Sequence, residues 1–461
     1  SSRVLPLKRD SAVDALRVIS GHQDVSYIPG FDADGVVIPV SALRLPDGTT
    51  EGAEKMAPDG SKETVATINH IGPNALAKAG MWFWHGELVA PESGAYQLIL
   101  QTDGPVARLF LDDKQVISND GGVLSQASLV PTNDGLRNAS ITMNLQAGQH
   151  YKMRVETWRG DNNPLQIRLG WVTPSQREAT IKSSVEQAAK ASAVVLFAHV
   201  EGTEGGDRNS LALPGYQDRL IHEVAAAANG KVIVVLNTGA PITMPWVNDV
   251  DAILQMWYPG QAGGEATAAL LLGRENPSGK LPITFPVNEA DVPTTDVLRF
   301  PGIDHEQQYA EGLFVGYRWY DAQNIAPLFP FGHGLSYTTF EYSDLQVTPQ
   351  GDNVQVSFSV TNSGSRGGSE VPQVYLSHTG TTDVETEKQK LVAFDKLSLA
   401  PGESRTVNIT LPARRFAWWN ETIHAWQTLP GAKQISVGAS SRDLRLNTNF
   451  TYTPTTLSLL P

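Results

Sequence analysis

The feature that most constrains the fold is the alternation of strand-like and helix-like segments between residues 176 and 272. An apolar run, AVVLFAHV at 193–200, leads through a polar, glycine-rich stretch into a helix-like segment at 216–228. The other segments of this pattern are strands at 231–236 and 252–257 and helices at 176–191 and 264–272. Strands that alternate with helices predict a parallel sheet covered by helices. This part of the chain is therefore predicted to be an open α/β domain.

The regions on either side of this pattern have an all-β texture. Between residues 34 and 175, alternating segments are separated by turn signals such as PESG and QAGQ, which predicts a β-sandwich. A helix over 11–20 and a strand over 24–28 come before it. If these two elements belong to the α/β domain, the sandwich is an insertion, as loop tips tolerate. A second sandwich, immunoglobulin-like or fibronectin-like, is predicted at the end of the chain. The predicted domains are 1–33 and 176–340 (α/β), 34–175 (inserted sandwich) and 341–461 (C-terminal sandwich).

Length and charge narrow the class of protein. A chain of 461 residues exceeds one ordinary core, so several domains are expected. The net charge of −13 and the lack of a Lys/Arg cluster argue against nucleic acid and against anionic substrates. No apolar run is long enough to predict a membrane span. The sequence has no cysteine, which excludes disulfides, thiolate chemistry and Cys-ligated zinc but does not determine the compartment. Of the compartments left open, a secreted or periplasmic location is favoured.

The stretch EGTEGGDRNSLALPG at 201–215 carries most of the candidate chemistry. Within eight residues it contains three carboxylates and one guanidinium, namely Glu201, Glu204, Asp207 and Arg208. It directly follows a predicted buried strand, and open α/β sheets bind ligands beyond the carboxyl ends of their strands. Asp207 and Arg208 are expected to brace the loop as an ion pair. Glu201 is a candidate substrate contact, with a solvated loop charge as the alternative.

Four stretches carry a resemblance to a known family. They are the 201–215 loop, MWYPGQAGGEATAALLLGRENPSGKLPITFP (256–286), EGLFVGYRWYD (311–321) and PLFPFGHGLSYTTFEYSDL (327–345). With them the chain resembles, over essentially its whole length, the C-terminal portion of family 3 glycoside hydrolases, the β-glucosidase group. The inserted sandwich resembles a protective-antigen-type domain, and the last sandwich resembles the fibronectin-type tail of the family.

The resemblance implies a function and a division of labour. It implies a retaining exo-β-glycosidase that acts on neutral glycosides, with no cofactor and no metal. The general acid/base of the family lies in an S/T-E-G-x-D-R loop, which maps onto Glu204. The family's Asp nucleophile lies on a (β/α)₈ barrel, and no such segment is present in this sequence. We therefore expect the chain to be the C-terminal part of a two-part enzyme, or a fragment, that requires a barrel-bearing partner.

Other candidates and interpretations remain open. Trp158, beside the loop RGDNNP, and Trp257, in the motif WYPG, are candidate substrate contacts; packing against the next helix is the alternative for Trp257. The glycine spacing of GQAGGE does not match a nucleotide-binding loop, and no His/Asp/Glu cluster has metal-ligand spacing. A non-catalytic carbohydrate-binding or adhesion protein is the rival function. Within the enzymes, β-xylosidase and arabinofuranosidase are alternatives to β-glucosidase.

Overall fold

The computed structural model describes residues 10–22, 24–119, 136–160, 163–200, 208, 210–455 and 458–459. The chain divides into two compact units. Unit 1 comprises Ser1–Val13, Asp24–Ala240 and Met244–Gly263, and unit 2 comprises Asp14–Gln23, Pro241–Thr243 and Gly264–Pro461. A first helix, α1, spans Ala12–Ser20, close to its predicted bounds. The predicted strand over 24–28 is wrong: these residues form neither helix nor strand. Tyr27 is 69% exposed, so the alternation provides no buried face to hold a strand.

The predicted inserted sandwich consists of twelve strands among the described residues. They are β1 (Val36–Val37), β2 (Leu43–Arg44), β3 (Ala53–Met56), β4 (Lys62–Val65), β5 (Asn69–His70), β6 (Gly80–Val89), β7 (Gly94–Thr102), β8 (Val106–Leu111), β9 (Lys114–Asn119), β10 (Arg137–Leu145), β11 (His150–Arg159) and β12 (Ile167–Val172). One sheet has the order β1-β12-β7-β10, with β5 also on β12; the other has β4-β3-β6-β11-β8-β9, with β2 also on β6. All pairs are antiparallel, as the alternating sequence predicts.

The core of this sandwich is rich in aromatic side chains. Trp84, Trp171 and Tyr96 are among its largest fully buried residues, and the rings of Tyr96 and Trp171 lie 5.2 Å apart. Along β6 the side chains alternate between buried and half-buried, because successive residues of a strand point to opposite faces. Trp82 and Trp84 therefore enter the core, whereas Phe83 lies on the other face.

The two ends of the sandwich lie side by side. Val36 in β1 is opposite Trp171 in β12, so the chain enters next to the point where it leaves. The Arg168 guanidinium holds the entry segment by donating to the carbonyl oxygens of Asp34 (2.8 Å) and Gly35 (2.6 Å). Adjacent ends are what an inserted domain requires.

The α/β part of unit 1 contains a parallel sheet. It comprises α2 (Pro174–Ala188), β13 (Ala193–His199), α3 (Gln217–Ala227), β14 (Lys231–Asn237) and β15 (Ala252–Gln255). The strand order is β13-β14-β15 and both pairings are parallel, as predicted. Helix α2 begins two residues earlier than predicted, because Thr173 and Gln176 form a capping box in front of it. Ile181 of α2 and Val224 of α3 are buried together with Val194 of β13 packed against them.

The next helix, α4 (Gly263–Leu271), also matches its predicted bounds closely. Unit 2 continues with α5 (Tyr317–Gln323), followed by strands and a short 3-10 helix at Ala413–Phe416. The strands are β16 (Phe340–Gln350), β17 (Asn353–Asn362), β18 (Gly368–Glu370), β19 (Gln373–His378), β20 (Lys390–Phe394), β21 (Leu397–Leu399), β22 (Ser404–Leu411), β23 (Ala417–Asn420), β24 (Ala425–Thr428), β25 (Gly431–Gly438), β26 (Leu444–Tyr452) and β27 (Ser458–Leu459).

The main sheets of unit 2 have the orders β16-β17-β22 and β20-β19-β25-β26, with smaller sheets β18-β21 and β23-β24-β27. Their core includes the stacked rings of Phe416 and Tyr452, 4.3 Å apart. Across the described ranges the only parallel strands are the three of the α/β sheet, so this part of the chain contains no (β/α)₈ barrel. No helix in the part of the chain that the structure describes is both long and apolar enough to span a membrane.

Candidate active site

The candidate site lies where the parallel strands end. His199 at the end of β13 is opposite Asn237 at the end of β14, and Gln255 ends β15 beside Leu236. The loop that begins at residue 201 therefore starts at the carboxyl edge of the sheet, as predicted. This edge is where open α/β sheets present functional groups.

Of the residues predicted in this loop, only Arg208 can be placed. Glu201, Glu204 and Asp207 lie outside the described residues, so their roles remain predictions. The Arg208 guanidinium donates to the carbonyl oxygen of Ala212 at 3.0 Å, within the second half of the loop. This bond is consistent with a bracing role for Arg208, while its pairing with Asp207 stays a prediction.

A buried glutamine joins the two stems of the loop. The Gln217 side chain accepts from the backbone N–H of His199 (2.9 Å) and donates to the carbonyl oxygens of His199 and Pro214, both at 3.0 Å. His199 precedes the loop and Pro214 ends it. Gln217 is 2% exposed. A single carboxamide thus ties the chain before the loop to the chain after it.

An aromatic cluster lies beside the same stems. The Phe31 ring is 5.6 Å from the His199 ring and 5.1 Å from the Tyr216 ring. Gly215 has a φ of +69°, and a Cβ there would lie 2.5 Å from a Phe31 ring carbon, so the close contact requires glycine. The Tyr216 hydroxyl accepts from the backbone N–H of Asp32 at 3.3 Å. Phe31 and Asp32 lie directly before the inserted sandwich, so the chain that enters the sandwich also contacts the loop stem.

The motif WYPG follows β15 at the same edge. Trp257 has a φ of +57°, which ends the strand two residues before its predicted end. The Tyr258 hydroxyl donates to the carbonyl oxygen of Val200 at 2.8 Å, immediately before the loop. Its ring covers Gly239, where a Cβ would lie 2.5 Å from a ring carbon. Trp257 itself is half-buried, which is compatible with both of its predicted roles, so substrate contact and helix packing stay open.

Burial changes the ionisation of two groups near this edge and leaves two amide oxygens without a hydrogen-bond donor from the described residues. Burial lowers the pKa of His199, which favours a neutral imidazole. Burial also raises the pKa of Asp218, although the Trp246 indole N–H donates to its carboxylate at 2.7 Å. The side-chain oxygens of Asn237 and Gln255 are buried and accept no hydrogen bond from the described residues. Such acceptors are suited to hydroxyl donors.

Trp158 lies elsewhere in unit 1, on the inserted sandwich. It borders an open cleft of about 500 Å³ together with Asp103, Arg137 and Arg159, and its side chain is 41% exposed. The Asp103 carboxylate accepts from the backbone and side-chain N–H groups of Gln166 at 2.8 and 3.0 Å. An exposed indole in a cleft with ordered polar groups is a surface on which a sugar ring can stack. No group of three or more potential metal ligands is gathered in the described ranges.

Gln217 was not predicted as a functional residue, and Tyr258 entered the predictions only as part of the motif WYPG, without its bond to Val200. Gln217 left a signal: it is aligned with Leu220, Ile221 and Val224 on the buried face of α3, where a polar residue needs a partner. Tyr258 left no comparable signal, because its bond to Val200 joins residues that are distant in sequence. Asp112 and Asp113, which could have indicated a calcium site, form the turn between β8 and β9 with φ values of +48° and +62°.

The chain thus contains an α/β domain with an inserted β-sandwich and a fibronectin-like sandwich, and the candidate site lies at the carboxyl edge of the α/β sheet. Residues 2–337 match the glycosyl hydrolase family 3 C-terminal domain, and residues 370–441 match a fibronectin type III-like domain. The first match covers most of the chain. The chain therefore belongs to glycosyl hydrolase family 3.

Several relatives are β-glucosidases. The chain is 44% identical over 276 residues to thermostable β-glucosidase B of Acetivibrio thermocellus, covering 58% of this chain and 36% of that protein. It is 37% identical over 373 residues to a β-glucosidase of Rhizobium radiobacter, covering 78% of this chain and 45% of that protein. This chain thus spans less than half the length of these two curated relatives.

Solved structures agree over nearly the whole chain. A Streptomyces venezuelae β-glucosidase, solved in complex with D-glucose, matches 98% of this chain and 54% of that chain at 36% identity, with a TM-score of 0.82. A Kluyveromyces marxianus β-glucosidase, solved with glucose, matches 98% of this chain and 56% of that chain at 29% identity, with a TM-score of 0.68.

Proposed function

We propose that this chain carries the acid/base half of a retaining exo-β-glucosidase and that Glu204 is the proton donor. The observation that carries the proposal is the position of the TEGGDR sequence, in a loop that starts at the carboxyl edge of the parallel sheet. Membership of glycosyl hydrolase family 3, with relatives named as β-glucosidases, supports it. The substrate class is a neutral glycoside with a terminal β-linked sugar, in keeping with the net charge of −13.

The chemistry assigns two tasks to Glu204. In a retaining glycosidase one carboxylate attacks the anomeric carbon while a carboxylic acid, about 5–5.5 Å away, protonates the leaving oxygen. The same group then deprotonates the water that hydrolyses the glycosyl-enzyme intermediate. The acid therefore needs a pKa raised by burial or by the neighbouring carboxylate.

The nucleophile must come from a second part of the active site, and we propose a barrel-bearing chain or fragment as its source. Two observations on β13 support a partner at this place. Among the described residues β13 pairs with β14 alone, so its other edge is open. Phe197, a residue of the same strand, is 41% exposed. Open edges and exposed apolar side chains favour association. Co-expression with the barrel should therefore produce activity on p-nitrophenyl β-glucoside, and the 461-residue chain by itself should show none.

The part of the substrate beyond the scissile bond is assigned to the inserted sandwich. The cleft beside Trp158 offers an exposed indole for stacking, and the segment that enters the sandwich contacts the loop stem through Phe31. In this assignment Trp158 contacts the aglycone, whereas Glu201 and Trp257 contact the sugar at the sheet edge. A purely carbohydrate-binding protein would use the same cleft without turnover.

The test is Glu204→Gln in the complete enzyme. The value of kcat/KM for alkyl glucosides, whose leaving group needs a proton, should fall by about 10²–10⁴-fold. The value for 2,4-dinitrophenyl glucoside should change little, because its leaving group departs unprotonated. Glu186→Gln is the matched control, since Glu186 is an exposed helix residue that pairs only with Lys182 at 3.9 Å among the described residues.

Three outcomes would contradict the proposal. Equal losses on both substrates would remove the acid/base role from Glu204. An inactive complete enzyme that still binds glucosides would favour the carbohydrate-binding function. Higher kcat/KM on xylosides or arabinofuranosides than on glucosides would assign the chain to one of those enzymes.

A further inference from the structure

We propose that Gln217 is a positioning residue for the acid/base: its carboxamide fixes both stems of the loop that carries Glu204. This inference rests on the proposed function, because it names a residue that serves the same loop. It gives helix α3 a role in positioning the proton donor, in addition to its packing against the sheet.

At the stems Gln217 uses both of its donors and one of its two acceptor sites. One N–H is donated to the carbonyl oxygen of His199 and another to that of Pro214, both at 3.0 Å, and the side-chain oxygen accepts from the N–H of His199 at 2.9 Å. A primary amide is the group that offers two donors and an acceptor on one plane. Neither a glutamate nor a methionine can make these three bonds.

Burying the Gln217 amide costs free energy unless it forms hydrogen bonds with these backbone groups. Gln217 is 2% exposed and shares its helix face with Leu220 and Val224, where an apolar side chain would pack at no polar cost. Leaving a buried donor or acceptor unsatisfied costs about 1–3 kcal/mol. The amide at this position is therefore explained by what it binds, namely the last residue of β13 and the end of the loop.

Two further contacts hold the same stems. The Tyr258 hydroxyl donates to the Val200 carbonyl oxygen at 2.8 Å, and Phe31 packs against Gly215 so closely that a Cβ there would overlap its ring. Gln217 bonds to both stems at once, so it helps to set their separation. A displacement of about 1 Å in a catalytic group can cost roughly 10²-fold in rate. Loosening the stems should therefore slow proton donation by Glu204.

The experiment compares Gln217→Met with Val224→Ala in the complete enzyme. Methionine keeps the length of the side chain and removes all three bonds, whereas Val224→Ala weakens the same helix through its core contact and leaves the stems intact. For Gln217→Met we expect kcat/KM on alkyl glucosides to fall about 10–100-fold and that on 2,4-dinitrophenyl glucoside less than about 3-fold. The basic limb of the pH profile of kcat/KM should shift as well. Val224→Ala should change neither the ratio of the two substrates nor the pH limb.

Gln217→Glu provides a second variant if the methionine protein does not fold. It keeps the acceptor for the His199 N–H and loses both donors, so the same selective loss is expected. Equal losses on the two substrates, or an unchanged ratio in a folded variant, would overturn the positioning role. If Glu204→Gln itself shows no leaving-group selectivity, the proposed function fails. If Glu204→Gln is selective and the Gln217 variants are not, only the role of Gln217 fails.

Discussion

The carboxyl edge of the α/β sheet and the core of the inserted sandwich are both buried, yet they are built from different side chains. The edge buries hydrogen-bonded polar side chains, such as Gln217, whose amide binds backbone groups, and Thr238, whose hydroxyl accepts from the side-chain amide of Gln255 at 3.0 Å. The sandwich core buries rings such as Trp84, Trp171 and Tyr96. An apolar core stabilises a fold without regard to direction, whereas hydrogen bonds fix particular atoms. Polar burial at this edge therefore fixes particular backbone groups of the loop stems, which an apolar core does not do.

The largest effect is expected from a substitution that removes a ring from the core of the inserted sandwich. Trp84→Ala should lower the free energy of unfolding of the inserted sandwich by about 3–5 kcal/mol, because it empties a fully buried ring site. Differential scanning calorimetry measures the loss. Trp84→Phe should cost less, since the Trp84 indole N–H has no hydrogen-bond partner among the described residues. If the folded variant had a changed ratio of kcat/KM between alkyl and dinitrophenyl glucosides, the sandwich core would also take part in positioning the catalytic loop, contrary to this account.

A second prediction concerns a buried polar residue that holds no loop of the active site. Lys433 in β25 is 1% exposed, and its ammonium donates to the carbonyl oxygens of Pro430 (3.0 Å) and Gly431 (3.3 Å). Burial, with a smaller contribution from Lys390, lowers its pKa to about 8 from 10.5. The folded state therefore binds fewer protons than the unfolded state between these values, and stability rises with pH across that window.

Lys433→Met removes this penalty. Relative to the wild type, the variant should be most stable near pH 7, and its relative stability should fall as the pH rises from about 8 to 10.5, because the wild type gains stability across that window and the variant does not. Hydrogen exchange of the amides in β25 and β19 at several pH values measures the difference. A relative stability of the variant that stays constant or grows with pH would contradict the expected direction of the pH dependence.

The smallest effect is expected at the cleft on the sandwich. Trp158→Ala should raise KM for glucosides with large aglycones by about 5–10-fold, corresponding to roughly 1 kcal/mol of stacking, and should leave aryl glucosides nearly unchanged. Steady-state kinetics with cellobiose-sized and aryl substrates provides the measurement. A uniform change across all aglycones would assign Trp158 to the surface of the sandwich rather than to substrate recognition.

Most of the fold could be predicted because periodicity determines it. Alternation in 80–89 and 94–102 indicates strands, and the apolar run at 193–200 predicts β13 to within one residue. The failure at 24–28 has a physical reason: five alternating residues specify a strand only where a buried face receives them. The stems of the loop could not be predicted either. Gln217 and Tyr258 act through backbone atoms that only the folded sheet brings near, although the polar residue on the buried face of α3 was a signal.

Azide rescue of Glu204→Ala in the complete enzyme tests whether Glu204 is the acid/base. Without its base, the variant should accumulate the glycosyl-enzyme intermediate on 2,4-dinitrophenyl glucoside, since water then attacks slowly. Azide needs no deprotonation and should restore turnover, and the product should be the β-configured glucosyl azide because two inversions retain the configuration. Restored turnover that yields the β-azide is the predicted result. An α-configured azide, or no rescue in a folded variant that has lost alkyl glucoside activity, would contradict the assignment of Glu204 as the acid/base of a retaining glycosidase.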